Sequence, residues 1–218
     1  MTRSNEPCLR SVGLSPRNAG IKRLFDIVFS ILGLVLASGF ILLGWLVATV
    51  DTGENGFFCQ ERIGRDGVPF DVIKLRTMKN VSGQGSTVTV RGDVRITKVG
   101  SWLRRLKLDE LPQLWNVLVG EMSFVGPRPD VAGFADRLIG EDRVILSIRP
   151  GITGPATLKF RNEEVLLASQ TDPERYSRET LYPEKVRINR MYIADYTLRK
   201  DLRYILQTLR PSDDNGVS

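Results

Sequence analysis

The sequence predicts an α+β protein, mainly helical, built from a membrane-embedded helix near the N-terminus, a β-hairpin and a helical domain. Three observations lead there. Ile27 to Val50 is a run of 24 residues without a charge; as a helix it would be about 36 Å long, against a bilayer core of about 30 Å. Phe57 to Leu75 reads as two strands around a Gly-Arg-Asp-Gly turn. Residues 97–107 and 198–209 repeat apolar side chains at helical spacing.

A polar tail, residues 1–20, precedes the membrane segment, residues 21–51. A cleaved signal peptide fits less well, because the apolar run exceeds a usual h-region and follows about 20 polar residues. Both flanks of the run are basic: Arg3, Arg10, Arg17, Lys22 and Arg23 come before it and a Lys/Arg-rich domain after it. Positive residues favour the cytoplasm, so both flanks point to one side. Ser38-Gly39 falls at the midpoint. Glycine lowers helix stability and serine can bond its own backbone, so the pair suits a bend. Two readings follow from the residues: a straight span, or a re-entrant helix that enters and leaves through one leaflet.

Residues 52–210 form the domain. Phe57–Ile63 and Val68–Leu75 are the expected strands, with Phe70 and Val72 on one face, and the hairpin projects Arg62, Lys74 and Arg76. Residues 82–86, SGQGS, read as a flexible loop without the GK[ST] ending of a phosphate-binding P-loop. Residues 97–107 read as a basic helix carrying Arg104, Arg105 and Lys107. Pro112 is tolerated only in a first turn, which sets a new helix start near Asp109 and buries Leu114, Trp115 and Leu118. SFVGPRPD, residues 123–130, reads as a loop carrying Arg128; RPGITG, residues 149–154, is another, carrying Arg149. Leu198, Leu202, Ile205, Leu206 and Leu209 form one stripe with Arg199, Lys200, Arg203 and Arg210 elsewhere. That helix either packs on the domain or lies on a membrane surface. Residues 211–218 are a short polar tail.

The net charge is +6 and the pI about 9.5, which suits nucleic acid, anionic lipid or phosphate-bearing molecules. No zinc-finger spacing, aromatic RNA-binding signature or basic heptad region supports nucleic acid. The chain has two cysteines, Cys8 and Cys59, and no histidine. That argues against a disulfide framework and a Cys/His metal site, and removes Ser-His-Asp and Cys-His mechanisms. Acid/base or nucleophilic chemistry falls to carboxylates, Lys, Tyr or Ser.

An Asp-Glu pair alone is ordinarily a solvated helix cap. Here, a helix start and the cations Arg104, Arg105 and Lys107 are expected to keep Asp109 ionised, and an ionised Asp can attack phosphorus to give an acyl phosphate. Adjacent helical side chains diverge by about 100°, so one acid can face phosphorus and the other a proton or a metal. Mg²⁺ suits such a pair, because it needs only one or two carboxylates beside substrate phosphates. Arg128, between Pro127 and Pro129, suits a bidentate phosphate contact.

KRLFDI, QERIGRDG, FDVIKLRTM, LDELPQLWNVLVGEMSFVGPRP and RPGITG follow one another in this order. Together they resemble the bacterial sugar transferase family, the monotopic phosphoglycosyl transferases, over about residues 22–210. The chain resembles the small, single-core type. The resemblance implies a two-step reaction. Asp109 attacks the β-phosphate of a UDP-sugar and releases UMP; undecaprenyl phosphate then takes the sugar phosphate from the aspartate. It implies Glu110 as the second acid, with Mg²⁺ or acceptor activation as its role, and Arg128 on substrate phosphate. Arg62, Lys74, Arg76, Arg104 and Arg149 are the further expected substrate-binding positions. It also implies a re-entrant helix bent at Ser38-Gly39, interfacial amphipathic helices, and an active site on the cytoplasmic face of the bacterial inner membrane. Membrane lipid is an expected partner, a homodimer is a further candidate, and nucleic acid is not expected. The family's usual break is Ser-Pro. Ser38-Gly39 departs from it, and Gly bends a helix less forcibly than Pro. Neither the sugar nor the pathway is legible.

Overall fold

The computed structural model describes residues 13–79 and 93–210. The expected SGQGS loop, the tail 211–218 and the first 12 residues of the N-terminal tail lie outside the described residues.

α1 spans Pro16–Thr52. Its start is a local signal: the Ser15 side chain accepts from the Asn18 amide at 3.3 Å and Pro16 occupies the first turn. The helix thus begins ahead of the expected membrane segment, with the polar Pro16–Gly20 stretch as its first turns. Gly53, at φ 74°, closes the helix by donating to the Thr49 carbonyl at 2.9 Å. α1 is helical throughout, Ser38-Gly39 included, and the Ser38 hydroxyl donates to the Val35 carbonyl at 2.9 Å. Its most apolar window is only 11% buried within the protein, which separates it from the core helix of a water-soluble domain.

One face of α1 docks on the domain. Lys22 reaches Asp201 at 2.6 Å, and Asp26 accepts from the Ser123 hydroxyl at 3.0 Å and the Phe124 amide at 3.2 Å. Arg23 donates to the Val117 and Leu118 carbonyls at 2.6 and 2.7 Å. The polar residues of KRLFDI are thus joints between α1 and three parts of the chain. Further along, a side chain at Gly33 would meet Leu114, and one at Gly44 would stand 2.5 Å from the Leu75 Cδ1, so the helix lies close to the domain at both places.

β1 (Phe57–Ile63) and β2 (Pro69–Leu75) pair antiparallel from Phe57↔Leu75 to Ile63↔Pro69. The turn between them holds Asp66 and Gly67 at φ 60° and 82°. β2 starts one residue later than expected. α2 covers Lys98–Arg105, with Thr97 capping the Gly100 amide at 2.8 Å. Residues Leu108–Glu110 form a 3-10 turn, and α3 covers Gln113–Val119. α3 buries Gln113, Leu114, Asn116 and Val117, whereas Trp115 is 52% exposed. The expected burial of Trp115 is therefore wrong, because the face of α3 that packs on β2 is the one carrying Asn116, which accepts from the Ile73 amide and donates to the Asp71 carbonyl.

The two Pro/Gly-rich loops hold a feature their composition hides. β3 (Ser123–Val125) and β4 (Gly151–Thr153) pair in parallel, Ser123↔Gly151 and Val125↔Thr153. Three-residue strands carry too little alternation to be read from sequence. α4 (Pro155–Lys159), α5 (Glu163–Ala168), α6 (Pro173–Tyr176), α7 (Tyr182–Ala194) and α8 (Leu198–Leu209) complete the fold. The main core gathers Ile63, Val125, Ile145, Ile148, Val186 and Ile193; a second cluster joins Val72, Val117 and Met122 beneath the hairpin. α8 turns Asp201, Tyr204 and Ile205 inward. Leu202, Leu206 and Leu209 stay 44%, 60% and 76% exposed.

Candidate active site

The carboxylates sit on the 3-10 turn between α2 and α3. Lys107, left-handed at φ 58°, turns the chain after α2, and the Leu111 amide closes the turn on the Leu108 carbonyl at 3.2 Å. Pro112 has no N–H to continue that turn into helix, and it stands as the N-cap of α3. Asp109 and Glu110 therefore lie one turn ahead of the helix expected to begin with them.

Their carboxyls shift in opposite directions, and the cations expected to act on Asp109 are not the strongest influence on it. Burial, then the adjacent Glu110, raises the Asp109 carboxyl above its ordinary value, against the pull of Lys74, Lys107 and Arg104. The helix end and cations do not hold it low, since desolvation acts on it first. Glu110 falls to about 2: burial raises it, and Arg128, Lys107 and Lys74 together overcome that. The Arg128 guanidinium donates to Glu110 Oε1 at 2.8 Å, and Glu110 in turn raises the Arg128 value. One acid is firmly anionic and paired. The other is held closer to its neutral form.

Around them stand cations from four elements. Lys74, on β2, shares the face of Phe70 and Val72, as strand alternation requires. Burial and then Arg128 pull its ammonium down to about 8, and it has no hydrogen-bond partner among the described residues. Arg104, in the last turn of α2, donates through Nη2 to Glu164 of α5 at 2.5 Å; its Nη1 is buried and unpartnered. Asp109 Oδ1 is likewise buried without a partner. Arg62 stands behind Arg128: its Nη1 donates to the Pro129 carbonyl at 3.3 Å and its Nη2 to Gln60 at 2.6 Å. Burial and Arg128 lower it to about 10.

Two expected substrate-binding residues are engaged elsewhere. Arg76 donates to the Asn55 carbonyl at 2.8 Å, pairs with Glu54 at 3.2 Å and covers the Phe58 ring, so it braces the α1–β1 connection. Arg149 donates to the Gly120 carbonyl at 2.7 Å and caps the C-terminal end of α3, opposite the end near the acids. Arginine type and motif position do not reveal which of these side chains a carbonyl claims first.

The structure also brings up residues not singled out from the sequence. Asp130, next after Arg128-Pro129, is pushed up to about 6 by burial, against Lys185 and Arg62. Lys185 on α7 is gripped by both Glu163 oxygens at 2.7 Å. Glu163 and Glu164 lie more than 50 positions from the acid pair, so no local signal could connect them. Among the described residues no group of three His, Cys, Asp or Glu side chains forms a ready metal cluster.

A family model for bacterial sugar transferases matches residues 17–212. The chain is 35% identical over 192 residues to a UDP-glucose:undecaprenyl-phosphate glucose-1-phosphate transferase of Caulobacter vibrioides, covering 86% of this chain and 68% of that protein. It is 31% identical over 210 residues to a UDP-N-acetylgalactosamine-undecaprenyl-phosphate N-acetylgalactosaminephosphotransferase of Aeromonas hydrophila, covering 94% and 47%. To an undecaprenyl-phosphate galactose phosphotransferase of Salmonella typhimurium it is 32% identical over 206 residues, covering 87% and 40%. The chain thus spans less than half the length of two of these three relatives.

Proposed function

The chain belongs to the bacterial sugar transferase family, and we propose that it is a phosphoglycosyl transferase that moves a sugar 1-phosphate from a UDP-sugar to undecaprenyl phosphate, releasing UMP. The observation that carries this reading is the pair of buried, unpartnered atoms, Asp109 Oδ1 and Arg104 Nη1, beside a lysine that also lacks a partner. Buried polar groups are normally satisfied, so an open acceptor on Asp109 and an open donor on Arg104 suit the binding of a phosphoryl group.

The reaction runs in two displacements. An Asp109 oxygen attacks the β-phosphorus; the bond from that phosphorus to the bridging oxygen breaks, and UMP leaves with the electron pair. An oxygen of undecaprenyl phosphate then attacks the same phosphorus, the acyl-phosphate bond breaks, and Asp109 returns as carboxylate. A raised Asp109 value makes it the more basic nucleophile once ionised. Lys74 and Arg104 face the negative charge that develops on the phosphates, and Arg128 holds Glu110 until substrate phosphate competes for it. Mg²⁺ fits the donor set: Asp109 Oδ1 is free of protein partners, Glu110 is anionic beside it, and this metal takes substrate phosphates as its remaining ligands. When bound it supplies charge neutralisation on the departing phosphate.

Membrane placement belongs to the same proposal. α1 is a re-entrant helix in the bacterial inner membrane, bent at Ser38-Gly39, with the active site at the cytoplasmic face. Trp102 on α2, Leu106 just after it, Trp115 and Val119 on α3, and Leu202, Leu206 and Leu209 on α8 are exposed. Exposed tryptophan beside exposed leucine suits the headgroup boundary.

The test is Asp109→Asn in purified, membrane-reconstituted protein. It is expected to keep fold and membrane retention while UMP release from UDP-sugars, screened one at a time, falls to background. Normal UMP release by that variant would remove the nucleophile. Full activity of the parent in excess chelator would remove Mg²⁺.

A further inference from the structure

Arg104 divides its guanidinium between two surroundings. Nη2 is fixed at 2.5 Å on Glu164, whose side chain is 46% exposed at the edge of α5. Nη1 is buried and has no partner, and the Arg104 charge is felt by Asp109. A guanidinium is planar, so fixing one terminal nitrogen fixes the direction of the other. α5 arises in the stretch after RPGITG, 60 positions from Arg104. None of the expected site residues lies in that stretch.

We propose that Glu164 is the positioning residue for Arg104. It grips the outer edge of the guanidinium so that the inner edge presents its N–H groups to a phosphate oxygen of the nucleotide sugar beside Asp109. This rests on the phosphoglycosyl transferase reading. The geometry distinguishes positioning from obstruction. A carboxylate standing in for substrate phosphate would take the buried Nη1, whereas Glu164 takes Nη2 from a half-exposed position and leaves Nη1 open. Arg104 also leaves α2 in its last turn, and a long arginine side chain has much rotamer entropy to lose on binding. A charge-assisted hydrogen bond made before substrate arrives removes part of that loss. Glu163, beside it, grips Lys185 in the same way, so α5 supplies a counter-acid to two cations at once.

The experiment uses the full chain in lipid nanodiscs and follows UMP release against UDP-sugar concentration. Variants are Glu164→Ala, Glu164→Asp, Arg104→Ala and the Glu164→Ala/Arg104→Ala double variant. Glu179→Gln, in the exposed Arg175–Glu179 pair of the α6–α7 turn, is the control and should match the parent. Glu164→Ala is expected to raise the donor KM about tenfold, the size of a lost hydrogen bond to a charged group, with kcat reduced by less. Glu164→Asp should recover part of that loss. The double variant should be no worse than Arg104→Ala, because Glu164 acts only through Arg104. A donor KM unchanged in Glu164→Ala, or losses that simply multiply in the double variant, would overturn the proposal. So would a lowered KM, which would make Glu164 a stand-in for phosphate. If the parent itself releases no UMP from any UDP-sugar, the functional reading has failed. If the parent turns over and Glu164→Ala equals it, the positioning role alone has failed.

Discussion

Lys74 shows how the site sets fold against function at one residue. Its ammonium is pulled from 10.5 to about 8, first by burial and then by Arg128, with Glu110 and Asp109 pulling the other way. Between pH 8 and 10.5 the folded chain binds fewer protons at this position than the unfolded chain. The Lys74 contribution to stability therefore rises as pH climbs through that window, and below it Lys74 is a constant burden. Phosphate binding needs the opposite, the charged form, which is lost above pH 8. The alkaline limb of kcat/KM, which reports the free enzyme, is expected near pH 8. Lys74→Met should remove that limb, raise the donor KM and raise the melting temperature at neutral pH, read by a pH–rate series and a thermal melt. A variant that melts lower and keeps the limb would assign the titration to another group. At this scale the sequence showed which residues matter better than it showed their states. The motif places Asp109 and Glu110 side by side, but burial and Glu110 raise the first while Arg128, Lys107 and Lys74 lower the second, and neither the burial nor the approach of Arg128 and Lys74 is written in the motif. Lys74 is one strand away, and Arg128 reaches in from the loop after β3. Arg76 and Arg149 each donate to a backbone carbonyl brought close only by the fold, contacts that arginine type and motif position do not reveal.

Among the elements, α1 both anchors the chain and sets the position of the hairpin. Gly44 faces Leu75 so closely that an added Cβ would lie 2.5 Å from it, and Leu75 is the next residue after Lys74. Gly44→Leu is expected to push the end of β2 outward, costing about 1–3 kcal/mol of stability by overpacking and reducing turnover with it. Gly20→Ala, where nothing lies within 4 Å, should instead gain up to about 1 kcal/mol of helix preference and leave turnover alone. Melting curves and UMP release on both variants check the contrast; equal effects would show that the Gly44 contact does not couple to the site. α8 makes the complementary case. Its repeat of leucines was visible in the sequence with two readings, core packing or membrane surface. The structure buries Asp201 against Lys22 and Tyr192 and leaves Leu202, Leu206 and Leu209 outside. A buried aspartate in the first turn, held by partners from α1 and α7, decides which face turns inward, and no periodicity records those partners. Replacing the three leucines by serine should weaken retention in membranes washed with high salt while leaving the far-ultraviolet circular dichroism unchanged. Undiminished retention would mean that α1 alone holds the protein.

For the whole molecule, the decisive feature is that one globular body touches α1 on both sides of its midpoint. Lys22, Arg23 and Asp26 hold the first arm to α8, α3 and β3. Gly33 lies on Leu114, Gly44 on Leu75, and Trp45 stacks on Phe57 at 6.3 Å while its indole donates to Asn55. As a straight rod, Lys22 to Ala48 would cover roughly 39 Å. A span of that kind would carry the domain packed along it, with its ion pairs, into hydrocarbon, where each charge costs several kcal/mol. A helix that enters and leaves through one leaflet keeps the domain in water and the exposed Leu24, Leu32, Leu36, Phe40 and Leu43 in lipid. It also explains why both flanks are basic, which a single crossing leaves without a reason. The expected result is that single cysteines at Asn18 and Asp66, introduced after Cys8 and Cys59 are changed to serine, both react with a membrane-impermeant maleimide only in inverted vesicles. In intact spheroplasts neither should react. Reaction of Asn18→Cys from outside while Asp66→Cys stays protected would establish a straight crossing, and the contacts that tie both arms of α1 to one body would then have to open in the membrane.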